Sequence, residues 1–271
     1  DWSSDVCSSD LKETKMKPND IEAIGFGFPG QIDCKKGIVR LAPNIPGWVN
    51  IPIASIMEKE FGIQTRVDND VRTAALGELN YGAGVGCENL VCITVGTGIG
   101  SGLVINGKIV RGANNAAGEL GHIKLNFTGG PLCGCGDRGC LEAYASGPSI
   151  VALAEEYIRG GKSTKYRELA NPDITPYIVA VAAKEGDPVA RQIFRVMGEY
   201  IGMGLTSVVN LLNPEKIIIG GGVAEAGDIL FYPIRETIAK RAMTIQREVE
   251  IVPAQLGNTA GVIGASLLIK S

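Results

Sequence analysis

Within Gly118-Glu-Leu-Gly-His122 and the Gly-rich run ending Cys133-Gly-Cys135-Gly-Asp-Arg-Gly-Cys140-Leu-Glu142, the sequence gathers one imidazole and three thiols. His122, Cys133, Cys135 and Cys140 have the ligand count of a closed tetrahedral structural zinc site, and His122 is the only histidine in the chain. Loops so rich in glycine bury little apolar surface, and a metal can hold them in one shape. The competing readings are a disulfide fragment or small buried residues. Seven cysteines, an odd number, with no apolar signal segment at the start, point instead to a reducing cytoplasmic setting where clustered Cys bind metal. Glu119 and Glu142 flank the ligand set, where a rigid loop could aim them at a bound molecule. Cys7, Cys34, Cys87 and Cys92 are scattered and read as small hydrophobes.

Asp68-Asn69-Asp70 follows a short strand expected at 65–67 and opens a helical pattern. Such residues make good helix N-caps, and an Asp at a strand end can also accept a hydroxyl proton while a phosphoryl group is transferred. Gly96-Thr97-Gly98-Ile99-Gly100 fits neither the dinucleotide fingerprint nor a P-loop. It is a plain hairpin of small residues or a nest of backbone N–H groups around a nucleotide phosphate. Gly220-Gly221-Gly222 is a turn or a flat platform for a purine ring.

These residues need a frame. The 271-residue chain is 45% hydrophobic and 20% charged with net charge −3, a globular composition with no basic surface for direct nucleic-acid binding. No apolar run approaches a membrane span. Residues 1–10, DWSSDVCSSD, nearly repeat themselves without periodicity and read as a non-native leader. Strands are expected at 21–28, 65–67, 90–95, 102–105, 217–219 and 249–253, with a hairpin turn at Asn106-Gly107. Helices are expected at 52–61, 70–81, 149–159, 175–184, 188–212, 231–243 and 260–269. Alternating elements predict an α/β architecture, with a hinge near Tyr81-Gly82-Ala83-Gly84. In the terminal helix, Gly261, Gly264 and Ala265 would allow close approach to a neighbour.

From Ile21 onward the chain resembles the ROK sugar kinases, the bacterial glucokinase group within the actin-like/ribonuclease-H-like ATPase fold. Five segments carry the resemblance: Gly118–His122, Cys133–Glu142, Asp68–Glu78, Pro43–Trp48 and Val95–Gly100. It implies two domains flanking a sugar/ATP cleft: residues 11–81 plus 258–271, and residues 82–257 with the zinc loop at 118–142. Asp70 would be the base facing a hexose 6-hydroxyl, with Asn44, Asn69, Glu119, His122 and Glu142 on the sugar. His122 would be shared, one ring nitrogen on zinc and the other toward the sugar. Gly96, Thr97, Gly98 and Gly100 would cradle ATP phosphates, Gly220, Gly221 and Gly222 would flank the adenosine, and Mg²⁺ would accompany ATP.

Two departures bear on this expectation. The family's Asp-x-Gly-Gly-Thr turn does not appear ahead of Ile21, so weakened phosphoryl transfer is expected of a chain that begins here. Arg72 stands where the family often carries Asn, a cation that could pair with Asp70 or reach toward phosphate. The expected substrate is glucose. The alternatives are an N-acetylhexosamine of the N-acetylmannosamine type and a sugar-sensing ROK regulator, and a homodimer is expected.

Overall fold

The apolar run ahead of Pro29 forms strand β1, Ala23–Phe28, in a computed structural model that describes residues 20–42, 45–170 and 173–269. The leader, Cys7, Asn44 and the segment where the resemblance expected a phosphate-gripping turn lie outside the described residues. Strands β2 (Gln31–Asp33), β3 (Ile38–Leu41) and β4 (Val49–Ile51) form a small antiparallel sheet. The sequence reading missed it because strands of three or four residues are too short to show a period. Helix α1, Ile53–Phe61, starts after Pro52 and stops at Gly62, whose φ of 67° is the left-handed C-cap expected of glycine. Strand β5, Gln64–Asn69, pairs in parallel with β1, and the ladder ends at Phe28 opposite Asn69. Helix α2, Asp70–Tyr81, begins at the next residue.

Strands β6 (Leu90–Val95), β7 (Ile99–Ile105) and β8 (Lys108–Ile109) form an antiparallel meander. Asn106 at φ 52° and Gly107 at φ 70° supply the two positive angles that the turn before β8 requires. Strand β7 starts three residues before the expected Gly102, so only Gly96, Thr97 and Gly98 remain as the connecting loop. Helices α3 (Leu141–Ala145), α4 (Gly147–Arg159), α5 (Lys165–Leu169), α6 (Pro176–Lys184) and α7 (Pro188–Leu212) follow. Of these, α3 and α5 span barely one turn, too little to show periodicity in sequence. Strand β9 (Lys216–Gly220), helix α8 (Asp228–Arg241), strand β10 (Glu250–Pro253) and helix α9 (Ala260–Ser266) complete the chain. The larger sheet runs β10-β9-β6-β7-β8, with β9 parallel to both neighbours. Its core lies under α7 and α8, where Ile93, Ile201, Leu205, Ile217, Ile219 and Ile234 are fully buried. No helix among the described residues is long and apolar enough to cross a membrane.

Helix α2 is packed on both sides. Val71 and Ala75 meet Gly100 and Gly102 of β7, while Thr73 and Gly77 meet α9. At Gly264 a β-carbon would run into the Thr73 carbonyl, so the close helix approach expected of α9 is made there and by Ala265 against Gly25. The chain leaves α2 for the larger sheet through residues 82–84 and returns to α9 through residues 254–259. Glu78 holds both passages. Its Oε2 accepts from the N–H groups of Ala83 (2.8 Å) and Gln255 (3.1 Å), and its Oε1 accepts from Leu256 (2.8 Å). The residue is 0% exposed, and donors point at both oxygens. Glu78→Gln must therefore turn an NH₂ toward a backbone N–H. We expect it to cost about 2 kcal/mol and to lower the melting temperature by roughly 4–8 °C. An unchanged thermal unfolding curve would show that these bonds do not hold the crossings.

Candidate functional site

The cluster at 122–140 is built from tight local turns. Leu120–His122 is a single 3₁₀ turn, and the His122 N–H donates to the Glu119 carbonyl at 3.0 Å. Cys133 N–H donates to Asp137 O at 2.8 Å and Gly136 N–H to Cys133 O at 2.9 Å, so the three cysteines sit on a short knuckle. Gly139, at φ 76°, lies against Asn126 O, where a side chain has no room. The four ligand atoms all lie within 4.8 Å of one another. Cys133 Sγ is 3.6 Å from His122 Nδ1, and Cys135 Sγ is 3.7 Å from Cys140 Sγ. Tetrahedral zinc, with bonds of about 2.3 Å to sulfur and 2.0–2.1 Å to nitrogen, sets its ligand atoms roughly 3.6–3.8 Å apart. The donor set and its spacing fit zinc.

The surroundings act unequally on the three thiols. Burial pushes the Cys133 thiol up to about 12, while the Asp137 N–H in particular pulls Cys135 below its ordinary value. Lys124 Nζ lies 3.1 Å from Cys140 Sγ and 2.6 Å from Asp137 Oδ2. Three thiolates around a divalent ion leave one net negative charge, which the Lys124 ammonium faces.

His122 turns Nδ1 toward the thiols, which leaves Nε2 pointing outward, 3.9 Å from Glu119 Oε2. Glu119 is exposed, and Glu142, in the first turn of α3, is half-buried. Glu142 Oε2 accepts the Ile99 N–H at 2.8 Å, and its Oε1 lies 3.8 Å from Cys133 Sγ. It therefore links the Cys/His cluster to the glycine loop.

The start of β7 is the meeting point. Gly121 packs on the Ile99 carbonyl and Gly118 on the Ser101 carbonyl, and Ser101 Oγ donates to Gly118 O at 2.7 Å. Gly100 receives Val71, the residue after Asp70. Three consecutive strand residues thus fix the N-terminus of α2, the Glu119–His122 turn and Glu142.

Asn69 caps α2: its Oδ1 accepts from Val71 N at 3.0 Å and Arg72 N at 3.2 Å, and its Nδ2 donates to Gly30 O at 3.2 Å. One Nδ2 hydrogen is left for a ligand. Asp70 Oδ1 accepts from Val71 N at 2.9 Å. The Asp70 side chain opens to solvent, yet protein around its inner side pushes the carboxyl above the ordinary aspartate range. Nearby N–H groups and the Arg72 charge offset this only in part. Arg72 corrects the sequence expectation, since it pairs with neither Asp70 nor open space. Its Nε meets Asp68 Oδ1 at 2.6 Å, and the residue is 4% exposed. Two partners missed from the sequence are Arg111, whose Nε lies 2.8 Å from Asp68 Oδ2, and Asn115. Only their distance along the chain hid them.

A cavity of about 500 Å³ opens beside the glycine loop. Gly96, Thr97 and Gly222 line it with Val151, Tyr177 and Val223. Lys184 Nζ, donating to Glu225 O at 2.8 Å, ties its rim together. Among the other expected glycines, Gly98 faces Glu142, Gly100 packs on α2, Gly220 faces Ala254, and Gly221 crosses Val95 at φ 86°. These four serve close packing and do not line the cavity. Cys34 and Cys92 also differ from one another: Cys92 is buried, whereas the Cys34 thiol donates to Asn115 Oδ1 at 3.1 Å.

A model of the ROK family matches residues 6–271. The chain is 40% identical to a glucokinase of Halalkalibacterium halodurans, over 98% of its own length and 82% of that protein's. It is 35% identical to a xylose repressor of Caldicellulosiruptor bescii, over 98% of its length and 67% of the repressor's. A solved ROK family glucokinase from Streptomyces griseus, in complex with glucose and AMPPNP, superposes with a TM-score of 0.84 at 34% identity, covering 98% of this chain and 87% of that one.

Proposed function

The chain belongs to the ROK family and has its actin-like ATPase fold, and on that premise we propose that it phosphorylates the 6-hydroxyl of a hexose, glucose first, at the expense of ATP. The observation that carries this reading is the convergence on β7. Val71 beside Asp70 packs on Gly100, Gly118 and Gly121 of the Glu119–His122 segment pack on the Ser101 and Ile99 carbonyls, Glu142 accepts the Ile99 N–H, and the glycine loop and its cavity begin at the same strand end.

Asp70 accepts the proton of the attacking hydroxyl as the new oxygen–phosphorus bond forms and the bond to ADP breaks. Its raised affinity for protons makes it a better acceptor. Glu119 and the outward Nε2–H of His122 hold sugar hydroxyls, and Glu142 keeps the glycine loop in register with them. Asn69 offers its remaining N–H. Asn44 is assigned to the sugar by resemblance alone.

His122, Cys133, Cys135 and Cys140 would hold zinc, which fixes the shape of the loop and the tautomer of the imidazole. The cavity suits the adenosine, with Gly96 and Thr97 at its phosphate end, where Mg²⁺ would travel with the phosphates. We place the domain division after Tyr81 and after Gly257, beside the crossings that Glu78 ties, with the two sides closing on sugar. Clustered thiols favour a cytoplasmic setting, and a homodimer is carried over from the resemblance alone, because the apolar face of α7 is taken up by the core.

Coupled ADP-release assays with glucose, N-acetylmannosamine and xylose test this. We expect glucose-dependent release, with kcat/KM falling on acidification through a pKa above the ordinary aspartate value of about 3.9, because the base must be ionised. Release that ignores sugar would sink the kinase reading. Preference for N-acetylmannosamine would move the substrate. Sugar binding without turnover would favour the regulator reading, which the repressor relative supports.

A further inference from the structure

The strongest unexplained feature is the buried charge network beneath Asp70. Asp68 is 1% exposed and accepts from two guanidinium groups, Arg72 at 2.6 Å and Arg111 at 2.8 Å, as well as from the Asn69 N–H at 2.8 Å. Arg72 Nη1 then donates to the carbonyls of Asn115 at 3.1 Å and Ala117 at 3.3 Å. Asn115, itself buried at φ 59°, donates to Asp33 Oδ1 at 3.4 Å and accepts from the Cys34 thiol. Residues 112–117 are thereby bound to β2 and to the N-terminus of α2, although they follow β8 of the larger sheet.

A buried ion pair is a poor source of stability, because desolvating both charges offsets their attraction, and apolar side chains of equal volume pack as well. What the network does supply is register. Asp68 lies two residues before Asp70, Arg72 two residues after it, and Ala117 two residues before Glu119. One planar guanidinium therefore spans the base-bearing helix start and the Glu119 turn.

We propose that Arg72 is a positioning residue that fixes Asp70 and Glu119 relative to each other, with Asp68, Arg111 and Asn115 as its anchors. This rests on the kinase reading for its kinetic test and on geometry alone for its structural one. Only a planar fork satisfies Asp68 and the two carbonyls together, and a lysine ammonium does not reach all three.

The experiment is Arg72→Lys in the full chain, read by steady-state kinetics and by hydrogen exchange of residues 112–118. We expect kcat/KM for glucose to fall by about tenfold to a hundredfold, with KM for ATP changed by less than about twofold, since misplacement of about 1 Å is enough for such a loss. Exchange in 112–118 should accelerate while that in 130–140 does not. Glucose constants and exchange both at wild-type values would overturn the proposal, as would equal losses in the glucose and ATP constants. Should Arg72→Lys fail to fold, Arg111→Gln replaces it, with its side chain 27% exposed. Faster exchange in 112–118 then supports the proposal and unchanged exchange overturns it. A wild-type protein without sugar-dependent ADP release defeats the kinase reading, and the exchange result alone then decides the role of Arg72.

Discussion

Replacing Asp70 by Asn should lower kcat for the hexose by about 10² to 10⁴-fold, the range lost when a general base is removed. The substitution is clean because the Asn amide oxygen still accepts the Val71 N–H that Asp70 Oδ1 receives at 2.9 Å. Helix α2 keeps its start, which Asn69 caps independently. Melting temperature and zinc content should stay near wild type, and kcat and kcat/KM should fall together, the pattern of an interaction made in the transition state. The acid limb of the pH profile should vanish with the carboxyl. A loss below about tenfold would remove Asp70 from the proton-accepting role and leave it a helix-start residue.

Cys140→Ser should have the second large effect. Cys140 is 0% exposed, and its sulfur, one of the four candidate ligand atoms, lies 3.7 Å from Cys135 Sγ. That separation is far from the ~2.05 Å of a disulfide, so oxidation does not hold the loop. Structural zinc in isolated finger peptides contributes roughly 10–16 kcal/mol of binding free energy that is also folding free energy. Here the loop is only part of a larger fold, so its loss should melt residues 123–140 without unfolding the core of α7 and α8. Elemental analysis should find about one zinc per wild-type chain and none in the variant. KM for the sugar should rise steeply, because His122 loses the bond that aims Nε2 and Glu142 loses its neighbour Cys133. Full zinc content and an unchanged sugar KM in Cys140→Ser would refute the clamp.

The two substitutions separate two contributions that look alike in sequence. Asp70 acts at one atom and its loss should leave binding intact. Cys140 touches no substrate and its loss should reach the sugar only through the shape of the loop. A variant series that reversed this split would mean that the roles of helix start and metal loop have been exchanged.

The sequence by itself determined the parts whose chemistry is local. One His and three Cys within one glycine-rich stretch mark a candidate metal site, because a tetrahedral site needs close donors and a backbone free to turn, and the structure brings the four together. Asp70–Tyr81 and Pro188–Leu212 were legible as helices from their caps and apolar spacing, and Asn106-Gly107 as a turn from its need for positive φ. Only the tertiary structure decided which of two neighbouring aspartates Arg72 would join, since both lie within its reach along the chain. The same holds for Glu142 on Ile99, for Glu78 on Leu256, and for the packing role of Gly100 against Val71. In each case the partner is distant in sequence, and its choice depends on how strands and helices stack, a property that no short window of residues records.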